Sequence, residues 1–141
     1  MNPLILEGTY ITPEKTETTP EIILDNTKNI YSISGRSLPH DAKSFYEPVI
    51  IWLDELSKHP DKDKTIYFKI KLEYYNTSSA KMLLDIFEKL EYINKSGRKV
   101  IIEWNYADDD EDMLEAGERY SKLVNIKFEM KEYKIPDKKR T

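Results

Sequence analysis

Cysteine is missing from the 141-residue chain. That absence excludes disulfides, thiol nucleophiles, zinc fingers and iron–sulfur ligation. Histidine occurs only at His40 and His59, each beside a proline, and no GxSxG element accompanies them, so nothing suggests a nucleophilic triad. The four glycines, Gly8, Gly35, Gly97 and Gly117, are too scattered for a phosphate-cradling GxGxxG or Walker-type loop. No apolar run approaches the roughly 20 residues that cross a bilayer. The short apolar stretch in Met1 to Glu7 has no basic segment before it and does not read as a secretory signal. Neither sign of charge dominates: 22 Lys and Arg face 26 Asp and Glu, a net charge of −4, so nothing asks for a nucleic-acid partner. The expectation is a soluble cytoplasmic protein, one domain over residues 1–141, with no membrane association and no cofactor.

What is present is a foldable pattern. Hydrophobic residues make up 39% and aromatic residues 11% of the chain, enough to argue against disorder. Three segments alternate with period two, as strands with one buried face do. In 65–75, Ile66, Phe68, Ile70, Leu72 and Tyr74 share a face opposite Tyr67, Lys69, Lys71, Glu73 and Tyr75. In 99–105, Val100, Ile102 and Trp104 alternate with Ile101, Glu103 and Asn105. In 124–131, Val124, Ile126, Phe128 and Met130 alternate with polar residues. A weaker strand at 29–34 pairs with 21–24 across the turn residues Asp25 to Asn29.

Helices fall between these strands. In 43–57, Phe45, Val49, Trp52, Leu53 and Leu56 have helical spacing, and Pro48 is tolerable only in the first turn or with a kink. From 78 to 95, Ala80, Leu83, Leu84, Phe87 and Leu90 form a stripe that Met82, Ile86 and Ile93 widen, ended by Gly97. A third helix at 110–122 begins under the acidic run Asp108 to Asp112, favourable to the helix dipole. The order strand–strand–helix–strand–helix–strand–helix–strand predicts crossovers and a mixed, mostly parallel sheet. Lys69, Lys71, Glu103, Lys127 and Glu129 would be stranded under a second helix layer. The fold class is therefore a two-layer α/β domain with helices on one face. Residues 8–20 read as an irregular arm and 134–141 as a flexible basic tail.

Little catalytic chemistry remains. The acidic run lacks the Gly and closing Glu of a calcium loop, and a solvated helix start explains it. A metal-dependent enzyme using Asp109, Asp110 or Glu115 is the competing reading. The segment Leu72 to Ser79 is more informative: a strand ends, Asn76-Thr77-Ser78-Ser79 follows, and a long helix begins. Asn, Thr and Ser are the preferred N-cap residues, so capping accounts for one of them. Three consecutive hydroxyls exceed what a cap needs, and a helix N-terminus accommodates a phosphoryl group.

With these residues in view, the chain resembles the SiaC family of bacterial regulatory phosphoproteins. The stretch EYYNTSS at 73–79 looks like the family's phosphorylation segment, and Gly35-Arg36-Ser37-Leu38-Pro39 like its Gly-Arg-Ser-x-Pro turn. Phe45-Tyr46 and Trp52 fall where its first helix carries aromatics. Trp104-Asn105-Tyr106, Asp110-Glu111-Asp112-Met113 and Glu115-Ala116-Gly117-Glu118 resemble its closing signature. The resemblance spans about residues 20–133. It implies a fold similar to STAS anti-anti-sigma domains, whose Asp-Ser-Ser-Gly is replaced here at Asn76 and Ser79. It also implies a non-catalytic protein with Thr77 as phosphoacceptor, a dedicated kinase, a PP2C-type phosphatase, and a diguanylate cyclase activated by the unphosphorylated form. An anti-anti-sigma factor binding an anti-sigma kinase is the alternative within that fold. Candidate partner-interface residues are Tyr75, placed by alternation on the open side of its strand, and Arg36, in the turn that topology brings toward residue 77. Met82 and Ile86 are candidates too, or else additional core.

Overall fold

Alternating strands whose apolar faces all turn the same way build the sheet. In the computed structural model, which describes residues 8–59 and 61–136, six strands lie side by side in sequence order. They are β1 (Thr9–Ile11), β2 (Glu21–Asp25), β3 (Ile30–Ser37), β4 (Ile66–Tyr75), β5 (Val100–Ala107) and β6 (Lys127–Tyr133). The first two pairings are antiparallel and the next three parallel. Helices α1 (Ala42–Ser57), α2 (Thr77–Lys95) and α3 (Glu111–Leu123) occupy the crossovers, because parallel neighbours cannot be joined by a tight turn. The architecture is the expected mixed, mostly parallel α/β domain.

The helices cover one face. Ile66, Phe68, Ile70 and Leu72 of β4 are buried while Tyr67, Lys69, Lys71 and Glu73 are exposed. On the open face Lys131 pairs with Glu103 at 2.7 Å, Lys127 lies 3.6 Å from Glu129, and the Lys71 ammonium sits 4.6 Å from the centre of the Tyr133 ring. Such exposed pairs contribute little to stability, but they keep the face solvated. No helix of the described residues is long and apolar enough to cross a membrane.

Two buried polar anchors hold the layers together. Trp104, fully buried, donates its indole N–H to the Met113 carbonyl at 2.8 Å, satisfying a donor that burial would otherwise penalise. The ring also presses on α3: a Cβ at Gly117 would lie 2.5 Å from its Cδ1, so α3 reaches its seat only with glycine there. At the opposite end of the strands Arg98, 2% exposed, donates to the Lys64 carbonyl, to Asn26 and Asn29 Oδ1 and to the Tyr31 hydroxyl, all within 3.1 Å. It ties the β2–β3 turn to the start of β4.

Several expectations need correction. Residues 8–20 are not irregular throughout, since they contain β1, and Thr12 extends its pairing by donating to the Ile22 carbonyl at 3.0 Å. Gly35-Arg36-Ser37 is the end of β3, not a turn. Gly35 adopts φ +112, and a Cβ there would lie 3.2 Å from the Lys15 side chain. Pro48 lies inside α1, beyond its first turn from the Asp41 cap, and the helix continues to Ser57. The phase of α1 turns Tyr46 fully inward, with Phe45 only partly buried. Met82 and Ile86 are 9% and 0% exposed. They belong to the core, because the α2 stripe lies flat against the sheet, and neither is available as a docking surface. Of the expected tail, 137–141 lies outside the described residues.

Gly117→Ala is expected to destabilise the domain by about 2 kcal/mol net, the clash with Trp104 outweighing a helix-propensity gain of ~1 kcal/mol. Arg98→Ala should cost ~2–4 kcal/mol by removing four hydrogen bonds, one buried and three part-buried, together with the packing of a buried side chain. Urea unfolding measures both, and a Gly117→Ala protein as stable as the parent would refute the packing argument.

Candidate functional site

The site forms where β4 hands over to α2. Up to Leu72 the strand keeps register with β3, Leu72 opposite Gly35. The next matched pair is Arg36 with Tyr74, so Glu73 is an extra residue. Such a bulge reverses the inside–outside alternation that follows it. Tyr74 therefore turns to the open face, 48% exposed, with the Arg36 guanidinium 5.8 Å from its ring centre. Tyr75 turns inward and meets Trp104 edge-on at 6.4 Å. The expected orientations of the two tyrosines are thus exchanged, and Tyr75 is half-buried rather than on the open face.

Beyond the bulge the Asn-Thr-Ser-Ser segment divides its work. Asn76 is the N-cap, its Oδ1 accepting the Ser79 N–H at 2.9 Å, the bond a cap residue is selected to make. Its own N–H donates to the Ser37 carbonyl at 3.0 Å. Ser79 is fully buried. Its hydroxyl donates to the same Ser37 carbonyl at 3.1 Å and accepts from Ser37 Oγ at 2.8 Å. With the Ser37 hydrogen committed there, the Tyr46 hydroxyl is the donor in its 2.5 Å contact with Ser37 Oγ. The result is an ordered chain from Tyr46 through Ser37 to Ser79. Burial pushes the Tyr46 phenol up to about 12 against a smaller downward pull from Ser37.

Ser78 is exposed, and its hydroxyl donates to Asn76 Oδ1 at 3.2 Å. Thr77, the first helical residue, is exposed. Its hydroxyl makes no hydrogen bond among the described residues. Of three adjacent hydroxyls, one is sealed in the core, one leans on the cap, and one stands free.

Thr77 heads a groove of about 460 Å³ between α2 and α3. On α2 the groove is lined by Thr77, Ala80, Lys81 and Leu84, and on α3 by Ala116, Arg119, Tyr120 and Leu123. Each set has the i, i+3, i+4, i+7 spacing of one helix face. Tyr120 bridges them, its hydroxyl donating to the Ala80 carbonyl at 2.8 Å. Burial raises the Tyr120 phenol most, and neighbouring Tyr75, close enough to hydrogen-bond, raises it further. Leu123 is 64% exposed at the groove's lower end.

Arg36 does not share this groove. It lines a separate depression on the open sheet face with Lys15, Lys69 and Lys71, and its Nε donates to the Glu17 carbonyl at 3.1 Å. Asp110 caps α3 by accepting the Met113 N–H at 2.9 Å. No group of three or more His, Cys, Asp or Glu among the described residues is placed to hold a metal. Sequence reasoning passed over Arg119 and Tyr120, although the helical stripe from Ala116 to Leu123 carried the signal. It also gave Ser37 no role, because its partners Ser79 and Tyr46 lie 42 and 9 residues away.

At the start of its central helix this one-faced α/β domain thus presents an exposed threonine at the head of a groove between two helices. The model of the SiaC family regulatory phosphoproteins matches residues 13–133, and the chain belongs to that family. An uncharacterised protein of Pseudomonas aeruginosa strain UCBPP-PA14 is 29% identical over 113 residues, which are 80% of this chain and 88% of that one. Among solved structures, one from the diguanylate cyclase SiaD in complex with its activator SiaC of Pseudomonas aeruginosa superposes with a TM-score of 0.80. It has 27% identity and covers 88% of this chain and 99% of that chain. SiaC of Pseudomonas aeruginosa also superposes, with a TM-score of 0.78 and 25% identity over 89% and 98% of the two chains.

The Tyr46 chain has a pH signature. A phenol whose folded pKa exceeds its unfolded value of about 10 stabilises the fold fully below pH 10 and loses that contribution as pH rises toward about 12. Tyr46→Phe should remove this part of the alkaline destabilisation while lowering neutral-pH stability by about 1 kcal/mol. Denaturant midpoints between pH 8 and 12 report both, and an unchanged alkaline slope in the variant would contradict the assignment.

Proposed function

We propose that this chain is a non-catalytic signalling phosphoprotein of the cytoplasm. Its Thr77 is phosphorylated by a dedicated kinase and dephosphorylated by a PP2C-type phosphatase, and its unphosphorylated form binds and activates a diguanylate cyclase. Membership of a regulatory phosphoprotein family supports the class. The complex of SiaD with its activator SiaC, a structural relative, supports the partner. The observation that carries the choice of residue is the exposed, unbonded hydroxyl of Thr77 beside the buried Ser79 and the cap-bonded Ser78.

The chemistry is a phosphoryl transfer from ATP. The Thr77 Oγ1–phosphorus bond forms as the β,γ bridging bond breaks, ADP leaves, and the hydroxyl proton passes to a base on the kinase. The phosphatase reverses the modification with water and releases inorganic phosphate. The added charge is about −1.5 to −2 at neutral pH. At the first turn of a helix this charge favours the helix by tenths of a kcal/mol up to ~1, so the domain stays folded and the change is read by the partner. A surface that seats neutral Thr77 would have to bury a dianion. Mismatched charge across an interface costs several kcal/mol, and ~1.4 kcal/mol is already tenfold in affinity.

Mass spectrometry of protein purified from its own cells should find a phosphoryl adduct on the peptide around residue 77, absent from Thr77→Ala. With purified cyclase, Thr77→Asp should lower binding and activation at least tenfold while Thr77→Ala retains both. An Asp variant that activates like the parent would overturn the switch, and capture of an anti-sigma kinase in place of a cyclase would replace the partner.

A further inference from the structure

The groove below Thr77 has a charge pattern that the switch does not by itself require. Its two charged lining residues, Lys81 and Arg119, are both cations, and no carboxylate lines it. This holds in a chain of net charge −4. Both side chains are exposed, and neither makes an ion pair among the described residues. Lys81 follows Thr77 by four residues on α2, which puts the two side chains one above the other on the helix surface, their Cβ atoms about 5–6 Å apart. Arg119 approaches from α3 closely enough that its charge stabilises the ionised forms of both Tyr75 and Tyr120. Unpaired cations from two helices thus face the same opening as a free hydroxyl.

We propose that Lys81 and Arg119 are a built-in receptor for a phosphate on Thr77, pairing with it across the α2–α3 groove and closing the surface that the unmodified chain presents. This rests on the reading of Thr77 as phosphoacceptor and adds how the modified state is held. The guanidinium suits the role because its planar fork binds two phosphate oxygens at once, while the ammonium supplies a point charge from the same helix. The phosphate then acts twice. It places negative charge where a partner would dock, and it draws the two cations over the apolar groove walls at Ala80, Leu84 and Ala116.

The test uses the full chain alone, with phosphothreonine incorporated at position 77 during translation, so that neither kinase nor cyclase is needed. Phosphorus NMR follows the second ionisation of the phosphate across pH 4–9 at low salt. Replacing both cations (Lys81→Gln with Arg119→Gln) should raise that pKa by about half a unit relative to the parent, as loss of nearby positive charge does. Each single variant should give part of the shift, and Lys122→Gln, a cation of α3 outside the groove, should give none. Superimposable titrations of the parent and the double variant would overturn the receptor. They would leave the partner switch standing if Thr77 phosphorylation still released the cyclase. A protein whose Thr77 is never phosphorylated in cells, even with the expected shift, would overturn the switch and the receptor with it, since no phosphate would reach the groove.

Discussion

The carbonyl oxygen of Ser37 is the joint on which the functional end of this molecule turns. It accepts the Asn76 N–H and the Ser79 hydroxyl together, binding the last residue of β3 to the first turn of α2. A buried carbonyl has two lone pairs, and leaving either unmet would cost free energy. Using both fixes the angle at which α2 leaves the sheet. Ser37 Oγ and Tyr46 extend the same joint to α1. Once Ser79 is committed inward, the helix phase places Thr77 two positions earlier on the outside. The free hydroxyl follows from the buried one.

A second constraint shapes the surface around it. Trp104 fills the space beneath α3 so completely that only glycine fits at position 117, and its indole N–H holds the first turn of that helix through Met113. This close seat brings Tyr120 within reach of the Ala80 carbonyl. The result is a shallow groove with an aromatic floor, not two separated helices. The two faces of the sheet have consequently diverged. The open face is laced with alternating charges, while the helical face carries the hydroxyl, the groove and its cations.

Much of this was legible in the chain. Period-two alternation marked β4 and its inward residues as far as Leu72, and marked β5 and β6 as strands, because a sheet covered on one side alone must alternate. The charges on the other side, Lys69, Lys71 and Glu103 among them, showed that no second helix layer covers it. That one residue of Asn76 to Ser79 caps the helix, and that Gly97 stops it, was readable because capping is local chemistry; which residue is the cap was not. The orientations of Tyr74 and Tyr75 were not readable. They depend on one extra residue in the pairing with β3, and nothing in the sequence of β4 shows where its partner slips. Met82 and Ile86 were ambiguous for a similar reason. A wide apolar stripe does not show how much of it the sheet covers.

By itself, then, the sequence determined the elements, their order, the one-sided burial and the presence of a hydroxyl-rich helix start, all of which arise from interactions within a few residues. Only the tertiary structure decided which of the three hydroxyls is free, which tyrosine faces inward, and that Lys81 and Arg119 share an opening with Thr77. Those outcomes depend on contacts between residues as far apart as Ser37 and Ser79. Such contacts exist only after the strands have found their register and the helices their seats, so no local pattern encodes them.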